Sequence, residues 1–334
     1  VAVAGHLDLR EEGYGFLRVA GYLPSRNDAY VSVKQARQFG LRRGDVLKGR
    51  SRAANRNEKN PALLQVDAVN GHPAHTQPER PRLEDLTSVF PSEPLALESA
   101  DAPDDLIARI VDLLAPIGKG QRGLLAAPPR SGRSTVVKQL VRALERNHPD
   151  LHVIVLLIAE RPEEVTDLTR WMVRGEVAAS TFDRPADEHV ALADLVVDRA
   201  ERLVEQGRDV VLVVDGLSRL TRAHELAAAG SGRTVDQGLE ASAITAALRL
   251  LGAAGKVEEA GSLTVLATVA VDSGSRVDEL ILDAVEGAAN LELRLDRRLA
   301  DRRIFPAVDV DATATRHEEL LYGADRLAQV HELR

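Results

Sequence analysis

Hydrophobic positions in the first seventy residues form short clusters that turn residues separate. Apolar side chains recur at 7–9, 14–17, 30–33, 46–47 and 63–66, with glycines and the turns Asn27-Asp28 and Arg43-Gly44-Asp45 between them. Short apolar stretches at this spacing, each bounded by turn residues, are typical of a small barrel of antiparallel strands. We therefore predict an all-β barrel over residues 1–70.

From about residue 105 the pattern changes to longer apolar runs that alternate with helical periodicity. The runs 123–127, 151–158, 210–214 and 263–268 have the composition of buried parallel strands. Segments with helical spacing lie between them, at 134–147, 187–205 and 238–251. The alternation predicts a three-layer α/β domain over 105–334, in which ligands bind at the carboxyl ends of the strands. The proline-rich stretch 71–104 between the two units is predicted to be a linker.

The first of these strands runs into a loop with the layout of a phosphate-binding P-loop. Backbone N–H groups and a helix N-terminus hold phosphate in such a loop, a basic side chain reaches the β- and γ-phosphates, and a hydroxyl binds Mg²⁺. The candidate nucleotide-binding residues are Pro129, Arg130, Ser131, Gly132, Arg133, Ser134 and Thr135, together with Asp215 after the strand 210–214. Ser134 and Asp215 are the expected Mg²⁺ ligands.

Each of these features also has a simpler explanation. A basic turn between a strand and a helix needs no nucleotide, and an Asp after a strand is commonly a cap. Ala127 also stands where a P-loop has its first Gly, and Arg133 stands where it has Lys. The two features together, about 80 residues apart, favour a nucleotide site.

Composition narrows the possible functions. The 334-residue chain has no Cys, which excludes disulfides, Cys-based zinc sites, iron–sulfur clusters and a thiol nucleophile. No uncharged apolar run approaches the roughly 18 residues of a membrane span, so no membrane partner is expected. With no signal segment at the N-terminus, the cytoplasm is the expected compartment.

The charge is unevenly distributed along the chain. Residues 1–80 carry 13 Lys and Arg against 8 Asp and Glu, a net charge of +5, whereas the remainder carries −13. A basic module joined to an acidic one suggests that the first module binds a polyanion, although ordinary surface charge explains the numbers equally well.

Three aromatic residues of the barrel lie among cations in the sequence. Aromatic faces that stack bases, flanked by cations that contact phosphates, hold single strands on oligonucleotide-binding barrels. The alternative is that these rings belong to the barrel core. Tyr14 and Phe16 are two residues apart and so share one face of a strand, which favours RNA binding by Tyr14, Phe16 and Tyr30 with Arg18 beside them.

Several runs resemble the bacterial transcription termination factor Rho family in sequence, order and spacing. They are Gly13–Arg18, Gly120–Gly123, Glu160–Thr166, Gly175–Asp183, Asp215–Ala223, Glu258–Thr264, Arg303–Asp309 and Thr315–Leu320. The resemblance covers nearly the whole chain, although the helical subdomain that precedes the barrel in the family has no counterpart in it. It implies an oligonucleotide-binding, cold-shock-like barrel followed by a RecA-like P-loop ATPase domain. It also implies a homohexameric ring that hydrolyses ATP in response to RNA, acts as an RNA helicase on C-rich nascent RNA and terminates transcription by RNA polymerase.

The resemblance also assigns roles to individual residues. Glu160 matches the catalytic Glu that polarises the attacking water, and Asp215 matches the acid on the Mg²⁺ side. Arg219 and Arg316 match arginines that neighbouring subunits direct at the γ-phosphate. The implied RNA contacts are Tyr14, Phe16, Arg18, Tyr30 and Glu58 on the barrel, and Arg233 and Arg276 on two loops of the central channel.

Some positions depart from the family pattern. Arg133 replaces the P-loop Lys with a bulkier, planar group. Ala159, Gly216 and Glu286 differ from the family near the expected nucleotide pocket, whose rim binds the antibiotic bicyclomycin in the family. Asn60 replaces an aromatic residue of the base pocket, and Arg276 replaces a Lys.

Two other functions remain open at this point. One is an RNA-binding ring, such as a regulatory paralogue, that hydrolyses ATP poorly. The other is a rotary-type ATPase subunit, which shares the motor fold but has no reason to carry a basic, aromatic barrel.

Overall fold

A computed structural model describes residues 1–56, 58–76, 78–228, 234–235 and 239–333. The first unit is a barrel of short strands, as the sequence predicts. Its elements are β1 (Ala2–Leu9), β2 (Gly15–Arg18), β3 (Ala29–Val31), α1 (Val33–Gln38), β4 (Val46–Arg52), β5 (Ala62–Val69) and β6 (His72–Pro73). The strand order is β3-β2-β1-β4-β5-β6, and a parallel pairing of Tyr30 with Ala62 joins β3 to β5 and closes the barrel.

The alternation of side chains along the strands fills the barrel. Leu7, Leu17 and Leu47 are fully buried at its centre. Gly5 stands where β1 passes very close to β2, because a Cβ atom there would lie 2.1 Å from the carbonyl oxygen of Arg18. Helix α1 begins with a capping box, in which the Ser32 hydroxyl accepts from the Gln35 N–H and the Gln35 side chain accepts from the Ser32 N–H.

The second unit is a mostly parallel sheet with helices on both faces. Its elements in chain order are β7 (Ser88–Val89), α2 (Leu106–Leu114), β8 (Arg122–Ala127), α3 (Arg133–Asn147), β9 (His152–Glu160), α4 (Pro162–Trp171), β10 (Glu176–Thr181), α5 (Ala186–Val204), β11 (Asp209–Asp215), α6 (Leu217–Ala227), β12 (Thr234–Val235), β13 (Leu239–Glu240), α7 (Ala241–Gly252), β14 (Gly255–Val257), β15 (Ser262–Ala270), α8 (Arg276–Glu286), β16 (Leu291–Arg294), α9 (Arg297–Asp301), β17 (Ala314–Thr315) and α10 (Ala324–Leu333). The main strand order is β10-β9-β11-β15-β8-β16-β17.

Neighbouring residues of β8 show why this sheet needs two helical layers. Leu124 packs with α5, α6 and α7 on one face, whereas Leu125 packs with α2, α3 and α4 on the other. Both side chains are almost completely buried. The four sequence-predicted strands correspond to β8, β9, β11 and β15, which pair in parallel. The three-layer α/β fold is therefore confirmed.

The segment 71–104 is more than the linker that its proline content predicts. Its start adds β6 to the barrel sheet, and β7 pairs with β14 of the α/β sheet. Leu95 and Leu97 are buried in the α/β core beside α2. The second half of this segment therefore joins the two units and also packs as part of the α/β domain.

No helix in the part of the chain that the structure describes is long and apolar enough to cross a membrane.

Candidate nucleotide and RNA sites

The phosphate loop joins β8 to α3 with the geometry that its sequence predicts. Gly132 lies immediately before α3 in the left-handed region, with φ of 94°, which favours glycine. The Ser131 hydroxyl donates to the Pro128 carbonyl at 2.7 Å and holds the loop closed. The N–H groups of the first turn of α3 have no acceptor within the helix, so Arg133, Ser134 and Thr135 direct three donors at any anion seated there.

A cavity of about 840 Å³ opens over this loop. All seven candidate loop residues, Pro129 to Thr135, line it, and the ring of Phe305 covers one side. Phe305 is half exposed, and a Cβ atom on Gly132 would lie 3.6 Å from its ring. An exposed aromatic face next to a phosphate-binding turn suits a nucleobase. No role for Phe305 follows from the sequence alone. The one sign of a role there is that an aromatic residue lies within the run Arg303–Asp309.

Two buried acids lie at the carboxyl ends of neighbouring parallel strands. Asp215 ends β11 and Glu160 ends β9, with 3% and 9% of their surfaces exposed. Asp215 accepts a hydrogen bond from the Thr268 hydroxyl at 2.8 Å, and Glu160 accepts one from the Arg161 N–H at 3.1 Å. We call Glu160 and Asp215 the acid pair.

Ser134 and the acid pair line one small cavity next to α3. A hydroxyl and carboxylates are the hard oxygen donors that Mg²⁺ prefers. The residues present therefore fit the Mg²⁺ site that the sequence predicts, with Ser134 and Asp215 as ligands. No cluster of three or more His, Asp or Glu side chains that could hold a metal ion occurs elsewhere in the described residues.

Two arginines lie against the acid pair. Arg219 in α6 donates to Glu160 at 2.7 Å and lies 3.3 Å from Asp215. Arg133 turns from the phosphate loop towards the same acids, with its Nε 3.3 Å from Asp215 and its Nη2 3.9 Å from Glu160. Arg219 thus contacts the acids of its own chain, and its expected role towards a neighbouring subunit stays a prediction.

Arg316 lies at the amino-terminal ends of the parallel strands, on the opposite edge from the nucleotide site. Its N–H donates to the Asn290 carbonyl at 2.9 Å, and it lines a cavity of about 220 Å³ with Arg122, the first residue of β8. The six residues of β8 separate this edge from the phosphate loop by roughly 20 Å. Arg316 therefore cannot reach its own nucleotide site. Glu286, expected near that pocket, instead ends α8 four residues before Asn290 and lies on this edge too.

On the barrel, three aromatic rings meet at one surface. Tyr14, Phe16 and Tyr30 have ring centroids 5.9 to 6.1 Å apart, and Phe16 lies opposite Tyr30 in the pairing of β2 with β3. Tyr30 is 38% exposed and the other two are partly exposed, so these rings are not sealed in the core. We call these three residues the aromatic cluster. Asn60 lies beside it, with its side-chain amide donating to the Asp28 carbonyl at 3.2 Å.

Arg18 lies beneath this cluster instead of projecting from the surface. Only 5% of it is exposed, its guanidinium bonds to Asp28 at 2.7 Å and to Asp8, and it lies 5.6 Å from the centre of the Phe16 ring. Its buried Nε has no hydrogen-bond partner among the described residues. A surface contact with phosphate does not fit this position; Arg18 instead offers one donor at the floor of the cluster.

Three further residues are predicted RNA contacts, namely Glu58, Arg276 and Arg233. Glu58 forms a two-pronged ion pair with Arg52, whose hydrogen bonds lower the pKa of Glu58 to about 2. Arg276 begins α8, is exposed and pairs with Glu279 at 2.9 Å. Arg233, predicted to lie in a channel loop, falls outside the residues that the structure describes.

Two family models match the chain, one for each unit. Residues 108–314 match the nucleotide-binding domain of the ATP synthase alpha/beta family, and residues 3–75 match the RNA-binding domain of Rho termination factor. The transcription termination factor Rho of Aquifex aeolicus is 44% identical over 339 residues, which cover 100% of this chain and 77% of that protein. The chain belongs to the Rho family.

Another Rho relative shows how much of a family member the chain spans. The Rho protein of Streptomyces lividans is 50% identical over 337 residues, which cover 100% of this chain and 47% of that protein. The chain therefore spans about half the length of this curated relative.

This Rho-family chain also resembles a secretion ATPase over most of its length. The assembled ATPase EscN from the type III secretion system of enteropathogenic E. coli superposes with a TM-score of 0.65 at 25% identity, covering 84% of this chain and 64% of that chain. The shared P-loop ATPase fold implies nucleotide binding. The barrel separates the alternatives, since the match to the Rho RNA-binding domain is not expected of a rotary-type ATPase subunit.

Proposed function

We propose that this chain is an RNA-dependent ATPase that moves along C-rich single-stranded RNA and terminates transcription. One observation carries the proposal: a single chain combines a partly exposed aromatic cluster on a barrel with an acid pair beside a phosphate loop. The first arrangement suits single-stranded RNA, and the second suits hydrolysis of a nucleoside triphosphate. The family assignment joins the two in one activity.

At the nucleotide site, the chain's own residues divide the work. The N–H groups at the start of α3 hold the phosphates, and Phe305 stacks on the base. Glu160 orients and polarises the attacking water, because its carboxylate lies at the rim of the small cavity next to Ser134. Ser134 and Asp215 would hold Mg²⁺, which would supply neutralisation of charge on the phosphate oxygens. Arg219 stabilises the charge that develops on the transferred group.

Arg133 is the residue that sets the rate in this proposal. Its guanidinium pairs with both members of the acid pair, whereas a P-loop Lys presents one compact ammonium to the phosphates. We expect nucleotide to bind well and to be hydrolysed slowly. In the limit of no hydrolysis the protein would be an RNA-binding ring or regulatory paralogue, and this alternative rests on Arg133 alone.

The position of Arg316 supports a ring of identical subunits. It lies roughly 20 Å from its own phosphate loop and so completes no site within its own chain. In a homohexamer this edge would face the nucleotide site of the next subunit, where Arg316 would act on the γ-phosphate. Residues around Arg276 would line the central channel and contact the RNA backbone. RNA polymerase is the proposed partner at which the ring acts.

A termination assay tests this function. The purified protein is added, with ATP and Mg²⁺, to an RNA polymerase that is elongating a transcript with a C-rich leader. The proposal predicts shortened, released transcripts, and it predicts their loss with Glu160→Gln, which keeps the shape of the side chain but removes its charge. Full-length transcripts with the wild-type protein, or equal release with Glu160→Gln, would overturn the proposal.

A further inference from the structure

The floor of the aromatic cluster is connected to the α/β domain by a series of ion pairs. Arg18, which lies beneath Phe16, bonds to Asp8 in β1. Asp8 is 3% exposed, and its other oxygen, Oδ1, accepts from Arg43 Nε at 3.1 Å. Arg43 Nη1 lies 3.3 Å from Asp198 in α5 of the α/β domain. We call Arg18, Asp8, Arg43 and Asp198 the ionic relay.

The junction around the relay is closely packed. Gly44 follows Arg43 with φ of 84°, and a Cβ atom there would lie 2.5 Å from the carbonyl carbon of Asp198. Arg43 Nη2 also donates to the Ala191 carbonyl, about two turns before Asp198 in α5, at 3.5 Å. The turn before β4 therefore lies directly against the helix, and Arg43 contacts both domains.

Arg43 is suited to this position because of its shape. One edge of its planar guanidinium bonds to Asp8 and another reaches Asp198, so a single side chain bridges two carboxylates in different domains. Lys has the same charge but only one ammonium centre, so it can satisfy one of these carboxylates at a time. The exchange Arg43→Lys therefore removes the bridge and keeps the charge.

We propose that Arg43 is a positioning residue that ties the RNA site of the barrel to α5 of the α/β domain. The inference rests on the proposed RNA binding by the aromatic cluster. Arg43 holds Asp8, Asp8 holds Arg18, and Arg18 sets the floor on which bases stack. Without the bridge, Asp8 is a buried carboxylate shared by Arg18 and the half-exposed Arg10, and Arg18 shifts with it.

The coupling works in both directions. Helix α5 packs against α6, which carries Arg219 of the nucleotide site. If a change in the conformation of α5 alters RNA affinity by some factor, RNA binding must shift the conformational equilibrium of α5 by the same factor. The relay would thus be one physical route by which RNA on the barrel influences the nucleotide site.

Binding of fluorescein-labelled oligo(C) RNA to the full chain, measured by anisotropy without nucleotide, tests the relay. Arg43→Lys should weaken binding about 3- to 10-fold, and Asp198→Asn, in the other domain, about 2- to 3-fold. The double variant should be no weaker than Arg43→Lys alone, because both changes break the same connection.

Arg42→Lys is the matched control. Arg42 crosses the same junction to Glu205 at 3.0 Å but has no contact with Asp8 or Arg18 among the described residues. We expect its oligo(C) affinity to stay within about 1.5-fold of wild type while its thermal stability falls as much as that of Arg43→Lys. This pair separates a specific connection from general loosening of the junction.

Three outcomes would overturn the inference. The first is that Arg42→Lys and Arg43→Lys weaken oligo(C) binding equally. The second is that Arg43→Lys leaves oligo(C) binding unchanged. Each of these two outcomes would leave the proposed function intact. The third is no binding of oligo(C) by the wild-type chain, which would overturn the RNA-binding part of the proposed function as well.

Discussion

Replacing Arg133 with Lys tests whether the residue in the phosphate loop slows hydrolysis. In the structure, Arg133 reaches Asp215 at 3.3 Å and Glu160 at 3.9 Å, so one cation partly neutralises both acids. Neither contact is a hydrogen bond, since Arg133 Nε has no hydrogen-bond partner among the described residues. Ion pairs near a protein surface contribute up to about 1 kcal/mol each, so we take about 1–2 kcal/mol as the free energy needed to release Arg133 from both acids.

That free energy sets the expected rate change. Lys is shorter and has a single cationic centre, so it cannot span both acids and is freer to contact the phosphates. Removing a barrier of about 1–2 kcal/mol raises a rate roughly 5- to 30-fold. We therefore expect Arg133→Lys to raise kcat for ATP by this factor, measured at saturating ATP with poly(C) RNA present.

The same exchange on the solvent-exposed side of α3 is the control. Arg142 is exposed, lies over the Trp171 ring and forms no ion pair with the acid pair in the described structure. Arg142→Lys should therefore change kcat less than twofold. A clear fall in kcat with Arg133→Lys would refute the reasoning, because it would show a site arranged around the guanidinium.

Three further predictions concern the barrel, the ring and the junction. Phe16→Ala removes one stacking face and should weaken oligo(C) binding by about 1–3 kcal/mol with the barrel still folded by circular dichroism; equal affinity in the folded variant would contradict base stacking there. Arg316→Ala subunits mixed into wild type should reduce ATPase activity more than in proportion to their fraction, whereas a linear loss would argue against a role in the neighbouring subunit's site. His6 stacks on Tyr22 with ring centroids 4.1 Å apart, and burial lowers the pKa of His6 to about 4. Its contribution to stability is therefore present above pH 6.5 and declines, by about 3 kcal/mol, as the pH falls towards 4. His6→Phe keeps the ring stack and should reduce the dependence of the free energy of unfolding on pH, measured by denaturant titration. An unchanged pH dependence would contradict His6 as its source.

The sequence was sufficient for features that depend on local pattern. The apolar runs that became β8, β9, β11 and β15 are long, and a parallel sheet buries both of their faces. Gly132 before a helix and Asp215 after a strand are likewise local signals. The role of Glu160, in contrast, came from the resemblance to the Rho family, and the parallel pairing of β9 with β11 is what brings it close to Asp215.

Features that depend on contacts between distant segments could not be predicted in this way. Arg18 looks like any surface cation until Asp8 and Asp28 are found on either side of it. The direction of Arg133 depends on acids 27 and 82 residues away, and a motif that records only residue type cannot show it. The resemblance assigned Arg316 to the site of a neighbouring subunit, but its distance from its own phosphate loop, roughly 20 Å, follows only from its position next to Asn290 and the start of β16.

The central claim is that RNA on this chain drives ATP hydrolysis. The most direct measurement is the rate of phosphate release from ATP with and without poly(C) RNA, at one protein concentration, for wild type and for Phe16→Ala. The account predicts a low basal rate, a severalfold or larger increase with poly(C), and a need for more RNA to reach half of that increase in Phe16→Ala. A rate that poly(C) leaves unchanged in both proteins would contradict it.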